Sequence, residues 1–459
     1  MTVRVLVRSK RDVDAVKASL KRFPETSHWI VESLGGVRGE HLYNIILDKM
    51  KPFTIILLGR EDSHIYKEIE KITYKIPFTA VVLARTKRIR NSTMEMINSL
   101  LSRARAIFRM RTLWKDSYIL SGWKDGEPME LPIEPYGDIF FLYGRGASHA
   151  LDILGITVNN EANRETILLA VKLARGLHYI YSGSTPIGEI NMTNYGLLPK
   201  GKHYDDINIV KINKNNIIDK NKQIIEILVK ESTSYLEKIA SYDRIIVPVS
   251  GGKDSAAALL LALEKFERDM ISIIYIDTGI DFEENKEYVG RLADKFGVEL
   301  IIEKADVDKG LLQGLPLPSF EHRWCTGRKL AALRKAIENY ARETSRRIAL
   351  IVGDRDSESD KRGRKPLLRV DPNLPYPTIA PLKLWSAAHV TLFLWSKGIE
   401  LNPLYELGFY RTGCYLCYSL RSWELSIMLR NQIFDKILKT RPHHKVFIEQ
   451  FLEEKSRVR

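Results

Sequence analysis

A chain of 459 residues carries 71 Lys and Arg against 57 Asp and Glu, a formal net charge of +14, with 44% hydrophobic residues. That length and apolar content suit two or three packed domains and exclude a disordered chain, and no apolar run approaches the roughly 20 residues of a membrane-spanning helix. The positive excess favours polyanionic partners, nucleic acid first and nucleotides second, while three cysteines, Cys325, Cys414 and Cys417, argue against a disulfide-stapled secreted fold and for a reduced, cytoplasmic compartment.

Residues 1–131 read as an N-terminal basic α/β accessory domain. Residues 3–8 alternate like a strand rather than a leader peptide; a helix is expected over 12–22, strands over 53–58 and 78–83, and a helix over 92–108. Nine bases follow: Arg85, Lys87, Arg88, Arg90, Arg103, Arg105, Arg109, Arg111 and Lys115, against Glu95 alone, with Trp114, Tyr118 and Trp123 beside them. Bases that neutralise phosphates next to rings on which nucleobases stack are what an RNA or DNA surface needs; a solvated helix face beside core aromatics gives the same pattern.

Residues 132–200 read as a second small accessory unit, with a strand over 138–143 and a helix over 164–177. Gly144-Arg145-Gly146 lacks the third glycine of a dinucleotide fingerprint and reads as a turn. The segment 201–243 is expected to be linker and packing helix: a Lys- and Asn-rich stretch to 222, then an amphipathic helix over 224–239. From 244 to 459 strands and helices alternate: strand 245–249, helix to about 266, strand 271–276, helix 283–296, strand 299–303, a long loop, helix 327–341 and strand 348–352. Such alternation predicts a parallel sheet covered on both faces, with its ligand at the carboxyl ends of the strands.

Between the first strand and helix of that series lies Ser250-Gly251-Gly252-Lys253-Asp254-Ser255. Adjacent glycines let backbone approach an anion, the amides of the first helical turn point at it, and Lys253 adds a full charge. The spacing is not that of the common P-loop. The hexapeptide carries the SGGxDS pattern and resembles the PP-loop superfamily of ATP pyrophosphatases, and from Arg244 to about Arg421 the chain resembles its phosphoadenosine phosphosulfate reductase branch. The resemblance implies an adenine nucleotide alpha hydrolase-like domain that takes ATP with magnesium, or phosphoadenosine phosphosulfate, as ligand, preceded here by smaller α/β or α+β domains. It places Ser250, Gly251, Gly252, Lys253, Asp254, Ser255, Asp277 and Gly353 at the nucleotide.

Asp277-Thr278-Gly279 with Phe282-Glu283-Glu284-Asn285 is similar to the family's DTGxxFxET, with Glu284-Asn285 replacing the Glu-Thr pair; a helix start enriched in acids gives the same residues. Gly353-Asp354-Arg355 with Ser357-Glu358-Ser359, followed by Lys361, Arg362, Arg364, Lys365 and Arg369, resembles a segment whose arginines face phosphate or sulfate, work that suits a planar, bidentate guanidinium. His322-Arg323-Trp324-Cys325-Thr326 and Gly413-Cys414-Tyr415-Leu416-Cys417 resemble the family's RWCT and GCxxC strings. Cys325, Cys414 and Cys417 could hold an iron–sulfur cluster with one open iron, or zinc with His322 as fourth ligand, or be reduced cysteines without metal; the spacing leaves all three open.

The family's reductases carry their nucleophilic thiol in a C-terminal Glu-Cys-Gly-x-His string, and no cysteine follows Cys417 here. The leading expectation is therefore an enzyme that adenylates a substrate for sulfur transfer, above all RNA thiolation. Lys253, Asp254 and Arg355 would act at the transferred phosphorus, with Cys325 and its neighbours holding or carrying sulfur from a donor or thiol partner. A sulfonucleotide reductase and a non-catalytic, nucleotide-sensing RNA-binding factor are the alternatives, and no membrane partner is expected.

Overall fold

The computed structural model describes residues 3–122, 125–157, 166–192, 196–205 and 207–457. Strands β1 (Arg4–Val7), β2 (Ile30–Ser33), β3 (Thr54–Leu58) and β4 (Thr79–Leu83) form a parallel sheet in the order β2-β1-β3-β4. Helices α1 (Lys10–Arg22), α2 (Glu40–Lys49) and α3 (Tyr66–Thr73) make the crossovers, and α4 (Met94–Met110) packs on the sheet. Every residue of β3 is buried, as parallel strands covered on both faces require.

A small antiparallel sheet of β5 (Thr112–Trp114), β6 (Tyr118–Leu120) and β7 (Glu127–Pro128) leads into a five-stranded antiparallel one. That sheet contains β8 (Asp138–Leu142), β9 (Leu168–Lys172), β10 (Leu177–Ser182), β11 (Thr185–Asn191) and β12 (Lys200–His203), with α5 (Arg145–Ile153) after β8. The helix expected over 164–177 is corrected here. Positions 164 and 165 lie outside the described residues, and the remainder holds β9, a single 3-10 turn over Ala174–Gly176 and the first residue of β10. Leu168-Leu169-Ala170-Val171 is buried at every position, and so short an apolar run has no period to tell strand from helix. The expected linker is corrected too: a helix, Lys214–Leu236, starts inside it, capped by the Asn213 side chain. Its exposed face carries Asn215, Lys222 and Gln223, while Ile217, Asn221, Ile224 and Leu228 are buried.

The last sheet holds β13 (Arg244–Pro248), β14 (Ile271–Asp277), β15 (Glu299–Lys304), β16 (Ile348–Ile351), β17 (Leu368–Asp371) and β18 (Leu374–Ile379). Their order is β15-β14-β13-β16-β18-β17, parallel except for β17. Helices Lys253–Leu263, Glu283–Phe296 and Trp324–Thr344 fall where the alternation places them. The winding reverses between β13 and β16, and the crevice beyond the carboxyl ends of such a pair is where doubly wound sheets bind ligands. One hydrophobic core runs from Val5 and Leu101 through Ile224 to Ile245, Ala349 and Phe393. Among the described residues no helix is long and apolar enough to cross a membrane.

Candidate functional site

β13 ends at Pro248, and the chain turns through Ser250, Gly251 and Gly252 into the Lys253–Leu263 helix. Gly251 has φ +79°, and a Cβ there would lie 2.7 Å from the Asn285 Cα, so the turn admits only glycine. The Ser255 hydroxyl closes the loop, donating to the Gly252 carbonyl (2.8 Å) and accepting from the Ser250 amide (3.2 Å). The Lys253 amide donates to the Tyr405 hydroxyl (3.0 Å). Among the described residues, the amides of Gly251, Gly252, Asp254 and Ser255 take no hydrogen-bond partner. Open amides at a helix start form a cradle for an anion.

Two buried asparagines hold the loop from outside. Asn402 Nδ2 donates to the Gly251 carbonyl (3.1 Å) and to Asn285 Oδ1 (3.0 Å), and Asn285 Nδ2 donates to the Gly413 carbonyl (2.9 Å). Asn285 stands where the sequence departs from the family pattern, and it bridges the loop to the Cys-x-x-Cys segment. Gly353 lets the end of β16 approach the helix start: a Cβ there would lie 2.6 Å from the Asp254 carbonyl.

Lys253 is 3% exposed; its Nζ donates to the Tyr410 carbonyl (3.1 Å) and faces Asp254 (3.4 Å), with the Tyr405 ring 4.9 Å away. Burial opposes its charge, but Asp254 and Tyr405 raise its pKa above the ordinary lysine value. Arg355 requires a correction. It is 1% exposed, and its guanidinium bonds Asp254 (2.7 Å), Asp138 (2.8 Å) and Ser357 (2.7 Å). It is a buried counter-ion that positions Asp254, not an arginine open to phosphate.

Asp138 reaches this network from β8 of the accessory sheet and also accepts from the Tyr410 hydroxyl (2.7 Å) and the Ala387 amide (3.0 Å). Burial would raise its pKa, but Arg355 and Lys172 outweigh burial and hold it well below the carboxylate range. Lys172, from β9, donates to the Ser357 carbonyl (2.7 Å), and burial pulls its pKa down to about 7.

The Cys-x-x-Cys segment folds against the turn after β14, where the Tyr415 amide donates to the Ile280 carbonyl (3.1 Å). The buried Cys414 thiol donates to Asp281 Oδ1 (3.1 Å), and Lys329 Nζ lies 3.1 Å from the same sulfur. Burial, then Asp281, pushes the Cys414 thiol up, so it serves as a neutral donor. Cys325 lies in the first turn of the Trp324–Thr344 helix, its pKa raised by burial and by nearby Cys417, and the Arg323 guanidinium sits 4.9 Å from the Tyr418 ring, joining the two segments. The three thiols thus share one region with Lys329, but the expected metal set does not assemble. His322 is exposed, and among the described residues no group of three His, Cys, Asp or Glu side chains is disposed to hold a metal ion. The Lys329 ammonium beside Cys414 and Asp281 already supplies the cation at that point.

Residues 244–420 match the family model of the phosphoadenosine phosphosulfate reductase domain. This segment belongs to that family. An uncharacterized protein of Methanocaldococcus jannaschii is 29% identical over 237 residues, 50% of this chain and 47% of that protein. The adenosine 5'-phosphosulfate reductase of Rhodococcus opacus is 27% identical over 153 residues, 32% of this chain and 59% of that one. The chain therefore spans about half the length of the first of these relatives. The crystal structure of phosphoadenylyl-sulfate reductase from Candida auris, a phosphate complex, covers 45% of this chain and 98% of its own, at 17% identity and TM-score 0.32.

Outside the reductase-family domain, the basic run is corrected: its nine bases form no single surface. Arg105, Arg109 and Arg111 are buried, bonded to Asp356 (2.9 Å), the Gly137 carbonyl (3.0 Å) and the Thr73 carbonyl (2.8 Å). Arg105 and Arg109 are four apart on the inner face of α4, so the helix divides the run. Tyr118 is buried as well, and Trp123 lies outside the described residues. Inside the domain, Asp354 gathers Arg369 (2.6 Å), Arg362 (3.4 Å) and Lys365 (3.8 Å), which spends much of the basic cluster after Arg355. Asp277 accepts from the Gly279 amide (2.9 Å) and lines a separate cavity of about 230 Å³ with Asp306 and Arg441. Asp138, Lys172, Asn402, Tyr405, Tyr410 and Lys329 were not singled out from sequence. An acid opening the apolar run Asp138–Leu142, and a lysine closing Leu168–Lys172, were the available signals, since a charge on a buried strand needs a partner.

Proposed function

We propose that the chain binds an adenine nucleotide at the Ser250–Ser255 loop and activates a substrate by adenylation for sulfur transfer, with RNA as the substrate class. A substrate oxygen attacks the α-phosphorus of ATP, taken as its magnesium complex; the P–O bond to the β-phosphate breaks and pyrophosphate leaves. A sulfur nucleophile from an external donor then displaces AMP. In this reading the loop amides hold the departing phosphates, Lys253 and the Arg355-oriented Asp254 fix the loop's charge, and Cys325 and Cys417 border the position from which the external sulfur nucleophile attacks. The observation that supports it is the Asn402–Asn285 bridge, which ties the Gly251 carbonyl to the Gly413 carbonyl next to Cys414 and so links the anion cradle to the cysteine segment.

The test is pyrophosphate release from ATP by the purified chain, with and without RNA, together with transfer of labelled sulfur to that RNA. RNA-dependent release that Gly251→Ala abolishes is the expected result. The 27% identity to an adenosine 5'-phosphosulfate reductase favours a second reading, sulfonucleotide reduction. Sulfite release from a sulfonucleotide and a thiol donor, with no RNA-dependent pyrophosphate, would select it.

A further inference from the structure

The N-terminal sheet is open and parallel, and its order β2-β1-β3-β4 reverses the winding between β1 and β3. Beyond the carboxyl ends of its strands lies a cavity of about 370 Å³. Six bases line it: Arg8, Lys10 and Arg11 after β1, Arg38 after β2, and Arg88 and Arg90 after β4. Behind the wall stand three acids. Arg8 bonds Asp62 (2.9 Å) and Glu61, Arg88 bonds Glu61 (3.1 Å), and Arg90 bonds Asp12 (3.4 Å). Lys10, Arg11 and Arg38 are exposed and take no ion pair among the described residues. Six bases against three acids leave three charges uncompensated at one crevice.

The backbone adds to the field. The N-terminus of α1, capped by Ser9, opens into the same cavity and contributes partial positive charge. Gly35 and Gly36 have φ +80° and +78°, and a Cβ at Gly36 would meet nothing within 4 Å, so the glycines serve the turn and leave the crevice open. A single carboxylate would not balance three free charges; a phosphate, tetrahedral and multiply charged, suits guanidinium forks at a strand-end crevice.

We propose that this crevice is a second anion site, outside the reductase-family domain, that binds a phosphate group, either a polynucleotide phosphodiester or the terminal phosphate of a nucleotide. The inference stands apart from the reaction at the Ser250–Ser255 loop. The experiment compares the full chain with the double variant Arg11→Glu/Arg38→Glu, and with Lys17→Glu/Lys21→Glu, an equal charge change farther along α1. The probes are a short single-stranded RNA, with and without a terminal phosphate, and inorganic tripolyphosphate.

The crevice variant is expected to weaken binding about tenfold or more at low salt and to reduce the salt slope by roughly 0.7 for each phosphate it no longer neutralises. The charge-matched variant is expected to stay within about twofold of the parent. Weakening on RNA whatever its terminus identifies a phosphodiester; weakening that needs the terminal phosphate, or that extends to tripolyphosphate, identifies a terminal group. Equal weakening in both double variants, or none in either, overturns the proposal. Pyrophosphate release from ATP reads the other site, so the two proposals fail separately.

Discussion

Asp138 and Arg355 form the most deeply buried ion pair of the loop network, with side chains 0% and 1% exposed. Two charges taken so far from water cost several kcal/mol each in desolvation, and only dense hydrogen bonding offsets that. The pair has it: Asp138 accepts from Arg355, Tyr410 and Ala387, and Arg355 also reaches Asp254 and Ser357. Asp138→Asn keeps the shape and removes the charge, leaving Arg355 under-compensated. Such a change is expected to cost about 3–5 kcal/mol in urea unfolding. Glu453→Gln, which touches a wholly exposed pair with Arg457, should leave the midpoint where it was. A midpoint for Asp138→Asn as little changed as that of Glu453→Gln would mean the network does not hold the loop.

Besides the Asp138 and Lys172 side chains, the accessory unit meets the reductase-family domain where two glycines bring backbone against backbone. The Gly146 amide donates to the Glu406 carbonyl (2.8 Å), and a Cβ on Gly146 would lie 2.5 Å from the Gly408 Cα. Backbone cannot yield as a side-chain tip can, so Gly146→Ala must push α5 away from the segment that carries Tyr405 and Tyr410. The expected cost is about 1–3 kcal/mol, with a fall in ATP affinity that calorimetry would detect; unchanged affinity in a destabilised variant would separate this junction from the loop. The same junction shows what was legible and what was not. From Arg244 to about residue 352, strand and helix periods alternate and glycine turns punctuate them, so the first four strands, their helices and the loop are readable from local pattern, whereas β17, β18 and the helices beyond them are not. Gly144-Arg145-Gly146 reads as a turn from sequence, but only Gly144 turns, Arg145 and Gly146 begin α5, and the partner of Gly146 lies more than 250 residues along the chain, which no local pattern reports. The same reason hid Asp138 and Lys172. Arg355 and the α4 arginines misled because a guanidinium looks the same in sequence whether it faces phosphate or a buried carboxylate.

Because one core joins the N-terminal sheet to the sheet of the reductase-family domain, and β8 and β9 reach the loop network, protonation in the accessory unit bears on the stability of the whole chain. Lys172 is the group to follow. Burial, only partly offset by Asp138, lowers its pKa from 10.5 to about 7. Between those two values the unfolded chain binds a proton that the folded chain does not, so stability rises with pH across that window and is flat below it. The full effect of one such proton is about 1.4 kcal/mol per pH unit. Lys172→Met keeps an apolar stem of similar length and removes the proton. It also takes a partner from Asp138, which shifts stability by a constant amount, because Asp138 stays ionised throughout that window. The difference between parent and variant in urea-unfolding free energy is therefore expected to grow from about pH 7 to about pH 9, below the range where buried tyrosines ionise. A constant difference across that range would show that Lys172 keeps its proton in the folded chain, and the ammonium would then have to be counted as a third full charge beside Asp138 and Arg355.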